Sequence, residues 1–317
     1  MRDLTANTTV SVVAPCYNEE RVLPEFVTRT TAVLRPLSCK FEVLLIDDGS
    51  RDHTHAVALQ LAQAHPEVRV ISFFRNFGHQ AAVTAGLDYA KGDAVVLIDA
   101  DLQDPPEVIS EMLDRWKDGV DVVYGQRRSR AGESAFKLLT ARAFYRLLSW
   151  MTARSIPIDT GDFRLMDRQV VEVLKRMRER HRFIRGMVSW IGGRQEPLLY
   201  DRQPRFAGAS NYPVRKMLSF AIDAITSFSV LPLRMLTYSA LAVLAVTFVA
   251  SLVVFFVKLV NPSYFLPGYT STMLTIMFFG GINLLSFGII GEYLGRMYES
   301  VKSRPIYLIH SIFPPAN

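Results

Sequence analysis

The residues of this chain that are best suited to chemistry follow a short apolar run. Residues 95–106 read VVLIDADLQDPP, so a β-branched segment ends abruptly in acids and a proline pair. Such a run predicts a buried strand that ends at a site. If the extended backbone continues past Ile98, the side chains of Asp99, Asp101 and Gln103 project from the same face. Two carboxylates and an amide are hard ligands that suit Mg²⁺ or Mn²⁺, and these ions leave coordination positions open for substrate phosphates.

The same acids have a purely structural alternative. Asp104 falls where a helix N-cap belongs, and Pro105 or Pro106 falls where the first helical turn tolerates proline. In this interpretation the acidic cluster only caps a helix, since aspartates are common at strand ends. The chemistry therefore depends on what the rest of the chain brings to the same place.

Composition and charge narrow the class of protein. A chain of 317 residues can hold one large domain or two of ordinary size. Its hydrophobic content of 50% and mean hydropathy of +0.16 are high for a wholly soluble protein. The formal net charge is +6, but no basic run is interleaved with aromatics, so we expect anionic small molecules and a membrane surface as partners rather than nucleic acid. Cys16 and Cys39 lack metal or redox spacing, which indicates free thiols in a reducing compartment.

The first 125 residues alternate β-branched runs with amphipathic stretches. This alternation predicts an α/β fold with a parallel, doubly wound sheet, in which ligands bind beyond the carboxyl ends of the strands. Polar clusters fall after each of the first four strands, so four strand ends are expected to converge on one crevice. The predicted strands are 10–14, 41–47, 68–73, 94–99 and 121–125, and the predicted helices are 20–34, 54–64, 78–90 and 106–117.

The composition changes toward the end of the chain. We predict a cytosolic domain over residues 1–212, with a further amphipathic helix at 133–151, and an amphipathic interfacial segment at 213–232. Residues 233–317 are expected to hold two transmembrane helices, about 235–257 and 271–290, and a cytosolic tail. Basic residues flank the pair, while the linker between the two runs is uncharged, so the positive-inside rule places both ends of the hairpin in the cytosol. These flanking residues are Arg215, Lys216 and Arg234 before the pair, and Arg296, Lys302 and Arg304 after it.

Three motifs at successive strand ends resemble a known family. No Gly-x-Gly-x-x-Gly follows the first strand and no Gly-x-x-x-x-Gly-Lys loop occurs, which disfavours a nicotinamide dehydrogenase and a P-loop ATPase. The strand ends carry PCYNE at 15–19, DDGS at 47–50 and DAD at 99–101 with Gln103, which resemble the family 2 glycosyltransferases and their A-type nucleotide-sugar-binding fold.

Further motifs narrow the resemblance. RNFG at 75–78, DLQDPP at 101–106, TGDFR at 160–164 and the terminal apolar pair are similar to the polyprenyl-phosphate glycosyltransferases. That group includes bactoprenol glucosyltransferases and, more distantly, dolichol-phosphate mannose synthases. The Gln-x-x-Arg-Trp string of processive synthases in the family is absent, which favours transfer of a single sugar.

The resemblance implies a role for each matching residue on the donor side. The residues implied to bind the nucleotide are Pro15, Tyr17, Glu19, Asp48, Arg75, Asp99 and Arg127. Among them Asp48 would accept a hydrogen bond from the base, and Arg127 would counter phosphate charge. Asp101 and Gln103 would bind the divalent ion, Mg²⁺ or Mn²⁺, that bridges the diphosphate. Tyr17 has a simple alternative as a loop aromatic, and Arg127, within RRSR at 127–130, as part of a solvated charge run.

On the acceptor side the resemblance implies that Lys137, Arg205 and Ser210 meet the acceptor phosphate. Lys137 could equally be a helix-surface charge. Relatives often carry lysine where this chain has Asn211, which weakens the assignment in that loop. Asp162 is the family's candidate base and is grouped with Asp99 and Asp101 as catalytic. An acceptor phosphate monoester is already largely ionised at neutral pH, so Asp162 could instead orient the sugar or acceptor, or cap a turn.

These features predict a membrane-anchored, metal-dependent, inverting glycosyltransferase. It would transfer one sugar, glucose from UDP-glucose, to a polyprenyl phosphate at the cytosolic face of the inner (plasma) membrane, as a multi-pass protein with a cytosolic catalytic domain. One alternative is the same reaction with another donor, GDP-mannose or a UDP-amino sugar. Another is a non-catalytic, membrane-tethered scaffold that binds nucleotide sugars. Whether the chain forms a homo-oligomer is left open.

Overall fold

A computed structural model describes residues 2–128, 160–180, 182–203, 231–260 and 269–314. The chain divides into two units. The sheet unit comprises Met1–Leu218 and Pro305–Asn317, and the helical unit comprises Ser219–Arg304. The amphipathic helix predicted at 133–151 and most of the interfacial segment predicted at 213–232 lie outside the described residues.

The sheet unit is built on one mixed sheet. Within the described residues it has eight strands in the order β7-β5-β6-β4-β1-β2-β3-β8. The first two strands are buried along nearly their whole length, which fits a sheet covered on both faces. The strands are β1 (Thr9–Cys16), β2 (Lys40–Asp47), β3 (Val68–Phe73), β4 (Ala94–Leu97), β5 (Val122–Arg127), β6 (Thr160–Asp167), β7 (Gln195–Tyr200) and β8 (Ile309–Phe313).

The strand directions agree with the predicted α/β class but not with a purely parallel sheet. β1 pairs in parallel with β2 and β4, and β2 pairs in parallel with β3. β6 inserts antiparallel between β4 and β5, and β8 adds antiparallel to β3. The expectation of a wholly parallel sheet is therefore wrong, because two strands from later in the chain enter it in the opposite direction.

Helices cover the sheet close to where the periodicity predicted them. The helix predicted at 54–64 has those bounds, whereas the first helix begins at Leu23, where a proline occupies the first turn. Residues 106–108 form a short 3₁₀ turn before the fourth helix. The helices of the sheet unit are α1 (Leu23–Leu34), α2 (Thr54–Ala64), α3 (His79–Tyr89), α4 (Ile109–Lys117), α5 (Arg168–Arg176) and α6 (Ile184–Ile191).

The core lies between these helices and the sheet. Phe26 and Val27 of α1 are fully buried, as are Val10 and Val12 of β1. α3 approaches β1 so closely that a Cβ at Gly86 would lie 2.1 Å from Cγ1 of Val13, so only glycine fits there. This contact packs the second half of α3 tightly against β1. Cys16 and Cys39 are free thiols, as predicted.

The helical unit contains two long helices in its described residues. α7 (Leu231–Val260) has 30 residues and α8 (Tyr269–Val301) has 33, and they contain the two predicted spans. By length and composition one stretch of the described residues, Phe278–Val301, is apolar enough to cross a membrane. The structure therefore supplies one candidate span, and the two-span hairpin stays a prediction.

Candidate active site

The loops that follow β1 and β2 are joined to each other by hydrogen bonds. The backbone N–H of Asn18 donates to Oγ of Ser50 at 3.0 Å, and Oδ1 of Asn18 accepts from the N–H of Arg51 at 2.9 Å. The N–H of Glu19 donates to Oγ1 of Thr54 at 2.8 Å. Asn18 has φ of +57°, a left-handed conformation that asparagine tolerates. The predicted convergence of the first two strand ends is thus present, with Tyr17 exposed and Pro15 buried.

Asp48 clamps the loop that follows β3. Its two carboxylate oxygens accept from the N–H groups of Phe77 and Gly78 at 2.7 and 2.9 Å. Burial raises the pKa of Asp48, although these two N–H groups oppose the rise. The neighbouring Gly49 has φ of +65°, and a Cβ there would lie 2.4 Å from the carbonyl carbon of Arg75. Each bonded carboxylate oxygen keeps a second acceptor site, so Asp48 can still accept a hydrogen bond from a base. That contact stays a prediction.

The acidic turn after β4 does not continue the strand. β4 ends at Leu97, and Leu102 has φ of +58° while its side chain is buried in the core. A buried leucine in the left-handed region is strained, and such strain persists only where the surrounding structure holds it. The expected alternation of Asp99, Asp101 and Gln103 on one strand face is therefore wrong, because the chain turns between them.

The side chains of this turn have different environments. Asp101 is nearly buried, and its Oδ1 accepts from the N–H of Gln103 at 3.1 Å. Oε1 of Gln103 accepts from Nη2 of Arg202 at 2.6 Å. Asp99 is more open, with 37% of its side chain exposed. Although part of the side chain is exposed, the surrounding protein desolvates the carboxyl and raises the pKa of Asp99 to about 6, with further increases from the charges of Asp162 and Asp101, against the opposing charge of His79.

The chemistry of these donors fits a divalent ion shared with substrate. Within the described residues no group of three or more His, Cys, Asp or Glu side chains is arranged to hold a metal ion. Mg²⁺ typically uses one or two carboxylates together with substrate phosphates, so a complete protein cage is not required. Asp101 and Gln103 offer a carboxylate and an amide oxygen, and the mutual repulsion of the acids here is what a cation would relieve.

Asp162, at the start of β6, is held by two cations. Its Oδ2 lies 3.0 Å from Nε2 of His79, and its Oδ1 lies 2.6 Å from Nε of Arg185. Burial would raise the pKa of Asp162, but the charge of Arg185 and the bonds from both cations hold that pKa far below its usual range. The carboxylate is therefore ionised at neutral pH and is a weak proton acceptor.

His79 connects Asp162 with the acidic turn. Its Nε2 is also 3.7 Å from Oδ1 of Asp99. Burial lowers the pKa of His79, but the hydrogen bond to Asp162 and the charges of Asp99 and Asp162 outweigh burial and raise the pKa to about 9. Because His79 opens α3, the positive charge is added to a helix N-terminus, so a fixed cation lies beside the candidate nucleotide residues.

Arg164 supports Asp162 from within the core. Its Nε donates to the carbonyl of Asp162 at 3.2 Å, and its Nη2 donates to the carbonyl of Gly161 at 3.1 Å. Burial lowers the pKa of Arg164 to about 10, which leaves it charged at neutral pH. The TGDFR motif thus fixes the turn through its own arginine.

A second cluster lies at the ends of β5 and β7. The hydroxyl of Tyr200 donates to Oδ1 of Asp104, and burial, followed by the charge of Asp104, raises the pKa of Tyr200. Nε of Arg127 is buried and has no hydrogen-bond partner in the described part of the chain. A Cβ at Gly161 would lie 3.5 Å from Nη2 of Arg127. Asp104 does not cap a helix as one alternative held, because its carboxylate is taken by Tyr200, and Pro105 occupies the N-cap position without a side-chain bond.

The structure brings most of the predicted site residues to one edge of the sheet. The acceptor residues predicted from the resemblance, Lys137, Arg205 and Ser210, lie outside the described residues. Sequence reasoning missed His79, Arg185 and Tyr200. His79 directly follows the RNFG motif and could have been found there, whereas no local pattern marks Arg185 or Tyr200.

Comparison with known proteins agrees with these motifs. The family model described as glycosyl transferase family 2 matches residues 11–175. The uncharacterized glycosyltransferase sll0501 of Synechocystis sp. is 45% identical over 306 residues, which cover 96% of this chain and 95% of that protein. The bactoprenol glucosyl transferase of Shigella phage SfX is 41% identical over 306 residues, which cover 95% of this chain and 99% of that protein.

A solved structure shows a weaker likeness. The glucosyl-3-phosphoglycerate synthase of Mycobacterium tuberculosis, in complex with Mn²⁺, uridine diphosphate and phosphoglyceric acid, matches 70% of this chain and 77% of that chain. The TM-score is 0.48 and the sequence identity 20%, and at that level no ligand or site residue carries over. The family model matches about half of the chain, and the relatives match nearly all of it. Together these matches show that the chain belongs to the family 2 glycosyltransferases.

Proposed function

We propose that this enzyme transfers a single glucose from UDP-glucose to a polyprenyl phosphate, with inversion, at the cytosolic face of the membrane. Family membership supports sugar transfer, and the name of the phage relative, a bactoprenol glucosyl transferase, supports both glucose and the lipid acceptor. The observation that carries the proposal is the pairing of acids with fixed cations at one sheet edge. Asp99 lies beside His79, and Asp162 lies between His79 and Arg185.

This arrangement suits a reaction in which a phosphate leaves. Departure of a nucleoside diphosphate concentrates negative charge on its terminal phosphate, and preorganised cations stabilise that charge. Asp101 and Gln103 would hold a divalent ion, which would neutralise negative charge on the diphosphate of the donor. Arg127, which is partly exposed at the end of β5, would bring its guanidinium to a phosphate oxygen, and His79 supplies a second fixed positive charge.

The acceptor needs no strong protein base. A phosphate monoester has a second pKa of about 6, so its oxygen is already ionised at neutral pH and can attack the anomeric carbon from the face opposite the leaving group. Asp162 is fixed by two cations and has a depressed pKa, which makes it a poor base. We therefore assign Asp162 to orienting the acceptor or the sugar, one of the roles considered from the sequence.

Two observations support a membrane anchor. Large apolar side chains on the helical unit are exposed, including Val246 and Phe248 on α7 and Leu284 and Phe287 on α8. The segments before and after this unit both belong to the sheet unit, so a chain that crosses the membrane must cross it an even number of times. With one candidate span in α8, a second span in α7 completes the proposed hairpin.

The proposed reaction is tested by transfer of radiolabelled sugar to undecaprenyl phosphate in detergent. A panel of UDP- and GDP-sugars is used, with and without Mg²⁺ or Mn²⁺. We expect a metal-dependent glycolipid from UDP-glucose. Product from GDP-mannose or a UDP-amino sugar instead would correct the donor but keep the reaction, whereas nucleotide-sugar binding without product from any donor would favour the scaffold.

The proposed topology is tested separately. Single cysteines are placed within residues 261–268 and at Asp201 of the sheet unit, and whole cells are treated with a membrane-impermeant thiol reagent. We expect labelling in the 261–268 segment and none at Asp201 until the cells are lysed. Equal labelling of both sites in whole cells would contradict the hairpin.

A further inference from the structure

The chain returns to the sheet unit after the helical unit, and the returning residues pack against β3. We name residues 305–313 the return segment. β8, within it, pairs antiparallel with β3 through the register Val70 to Phe313 and Ile71 to Ile312. The carbonyl of Pro305, the first residue after the helical unit, accepts from Nη1 of Arg180 at 2.9 Å. The return segment is therefore anchored from its first residue.

Tyr307 is the centre of this anchoring. Its hydroxyl donates to Oδ2 of Asp88 at 2.8 Å, and Asp88 also accepts two hydrogen bonds from the guanidinium of Arg178, at 2.7 and 3.0 Å. Its ring stacks on Phe73, the last residue of β3, with centroids 5.3 Å apart and planes 8° from parallel. Tyr307 thus packs directly against the last residue of β3.

The loop after β3 continues this series of contacts to the candidate donor site. The ring of Phe77 meets Phe73 edge-on, with centroids 5.8 Å apart, and the guanidinium of Arg75 lies 4.1 Å from the centroid of Phe77. The N–H of Phe77 is one of the two that bind Asp48. Contacts therefore run without a gap from Tyr307 through Phe73 and Phe77 to both Arg75 and Asp48, which are the predicted nucleotide residues of this loop pair.

We propose that Tyr307 is a positioning residue for donor binding: through Phe73 and Phe77 it holds the loop that carries Arg75 and the clamp on Asp48. The inference rests on the proposed function, because it takes these loops to bind the nucleotide sugar. It adds that residues 1–218, which contain every predicted site residue, need the return segment to bind the donor well. The effect of Tyr307 on Asp48 and Arg75 is transmitted by the packing of Phe73 and Phe77.

The test uses the full chain in detergent and measures the affinity for UDP-glucose by calorimetry, together with KM for UDP-glucose and KM for undecaprenyl phosphate. Tyr307→Phe keeps the stacked ring and loses only the hydroxyl, whereas Tyr307→Leu keeps apolar volume and loses the ring. The control is His310→Ala, which removes a ring of β8 that, among the ring contacts of the described residues, contacts only the exposed Phe74, away from Phe73.

We expect Tyr307→Leu to weaken UDP-glucose binding and raise its KM by about fivefold to tenfold, the size of effect that loss of one aromatic pair produces. The KM for undecaprenyl phosphate should stay within about twofold. Tyr307→Phe should restore most of the donor affinity, and His310→Ala should leave it unchanged, because stacking on Phe73 carries the effect.

Three results would overturn the inference: donor affinity in Tyr307→Leu within about twofold of wild type, an equal rise in both KM values, or an equal loss in His310→Ala. If Tyr307→Leu does not fold, Phe77→Leu interrupts the same series of contacts one step later and must give the same selective loss. The proposed function fails on different evidence, namely wild-type protein that forms no glycolipid although it binds UDP-glucose.

Discussion

Asp162 and Arg185 form an ion pair in which Oδ1 lies 2.6 Å from Nε, with the carboxylate almost fully buried. His79 completes the pairing from the other side. A carboxylate bound in this way is a permanent anion, so it can orient a substrate group but accepts a proton poorly. The electrostatics of the site therefore favour positioning over general base catalysis for Asp162.

We predict that Asp162→Asn lowers kcat for transfer by at least about 100-fold while donor affinity stays within about twofold, because misplaced substrates react slowly even when bound. The free energy of unfolding should fall by about 2 kcal/mol at neutral pH, because two partly exposed cations lose a hydrogen bond to a charged partner. Steady-state kinetics and denaturant unfolding check both. Asp201→Asn, at an exposed ion pair, is the control and should change neither. Full activity in Asp162→Asn would refute the positioning role.

The stability lost in Asp162→Asn should depend on pH with a definite sign. The pKa of Asp162 is depressed in the folded protein, so its contribution is present above the unfolded pKa of about 3.9 and declines only as the pH falls below that value. Wild type and Asp162→Asn should therefore differ most near neutral pH and converge in strong acid. A difference that grew as the pH fell would contradict the depressed pKa.

The raised pKa of His79 predicts the opposite pH dependence. Its ordinary value of 6.5 rises to about 9, so its stabilising contribution is complete below 6.5 and is lost as the pH rises through 9. Asp99 and Asp162 face the imidazole as anions and Arg185 as a cation. Imidazole NMR of metal-free protein should show His79 titrating well above the ordinary imidazole pKa of 6.5. His79→Gln should flatten the melting temperature between pH 6.5 and 9, and an unchanged slope would argue against a charged His79.

Asp101 is predicted to be required for metal-dependent transfer. A chelator should abolish activity of the wild type, and Mg²⁺ or Mn²⁺ should restore it. Asp101→Ala should lower the rate of transfer by at least about 100-fold, while the protein stays folded and membrane-bound. Mutation of a residue that only hydrogen-bonds to a metal ligand costs up to about 100-fold, and loss of the ligand itself should cost more. Glu111→Ala, at an exposed acid on α4, is the control. Full activity of Asp101→Ala would remove the metal assignment.

Gly49 offers a test of the contact between the β2 and β3 loops. Gly49→Ala combines a left-handed backbone with a Cβ 2.4 Å from Arg75, so it should cost about 2 kcal/mol of unfolding free energy and weaken UDP-glucose binding. Gly119→Ala is the matched control, because Gly119 has φ of +87° but nothing within 4 Å of the added Cβ. It should cost about 1 kcal/mol and leave donor binding unchanged. Equal effects on binding would show that the loop contact is unimportant.

Much of the sheet unit was predictable because local periodicity and burial agree there. α2 and β3 have the predicted bounds, since an amphipathic or continuously apolar run leaves one stable arrangement. The antiparallel entry of β6 and the whole of β8 were not predictable. The direction of a strand within a sheet depends on partners distant in sequence, and Ile309–Phe313 carries no local signal for pairing with β3.

The candidate site was predictable as a location but not as a geometry. The carboxyl ends of parallel strands lie at the same edge of a sheet, so the order of the predicted strands was enough to place Asp48, Arg75 and Asp101 at one edge. The positive φ of Leu102 turned the acidic segment away from the predicted alternation. The partners of Asp162, His79 and Arg185, lie on α3 and α6. Their contact with Asp162 depends on how the intervening loops fold, and the spacing of residues along the chain does not predict that.

The position of β8 after the helical unit also sets an order of events during synthesis. β3 is made early, yet the strand that pairs with its outer edge in the described part of the chain, Ile309–Phe313, follows only after residues 219–304 have left the ribosome. Throughout that interval the nascent protein presents unpaired N–H and C=O groups, which invite pairing with other chains. A product cut short within the helical unit keeps this open edge, so we expect premature termination to yield a fragment that aggregates.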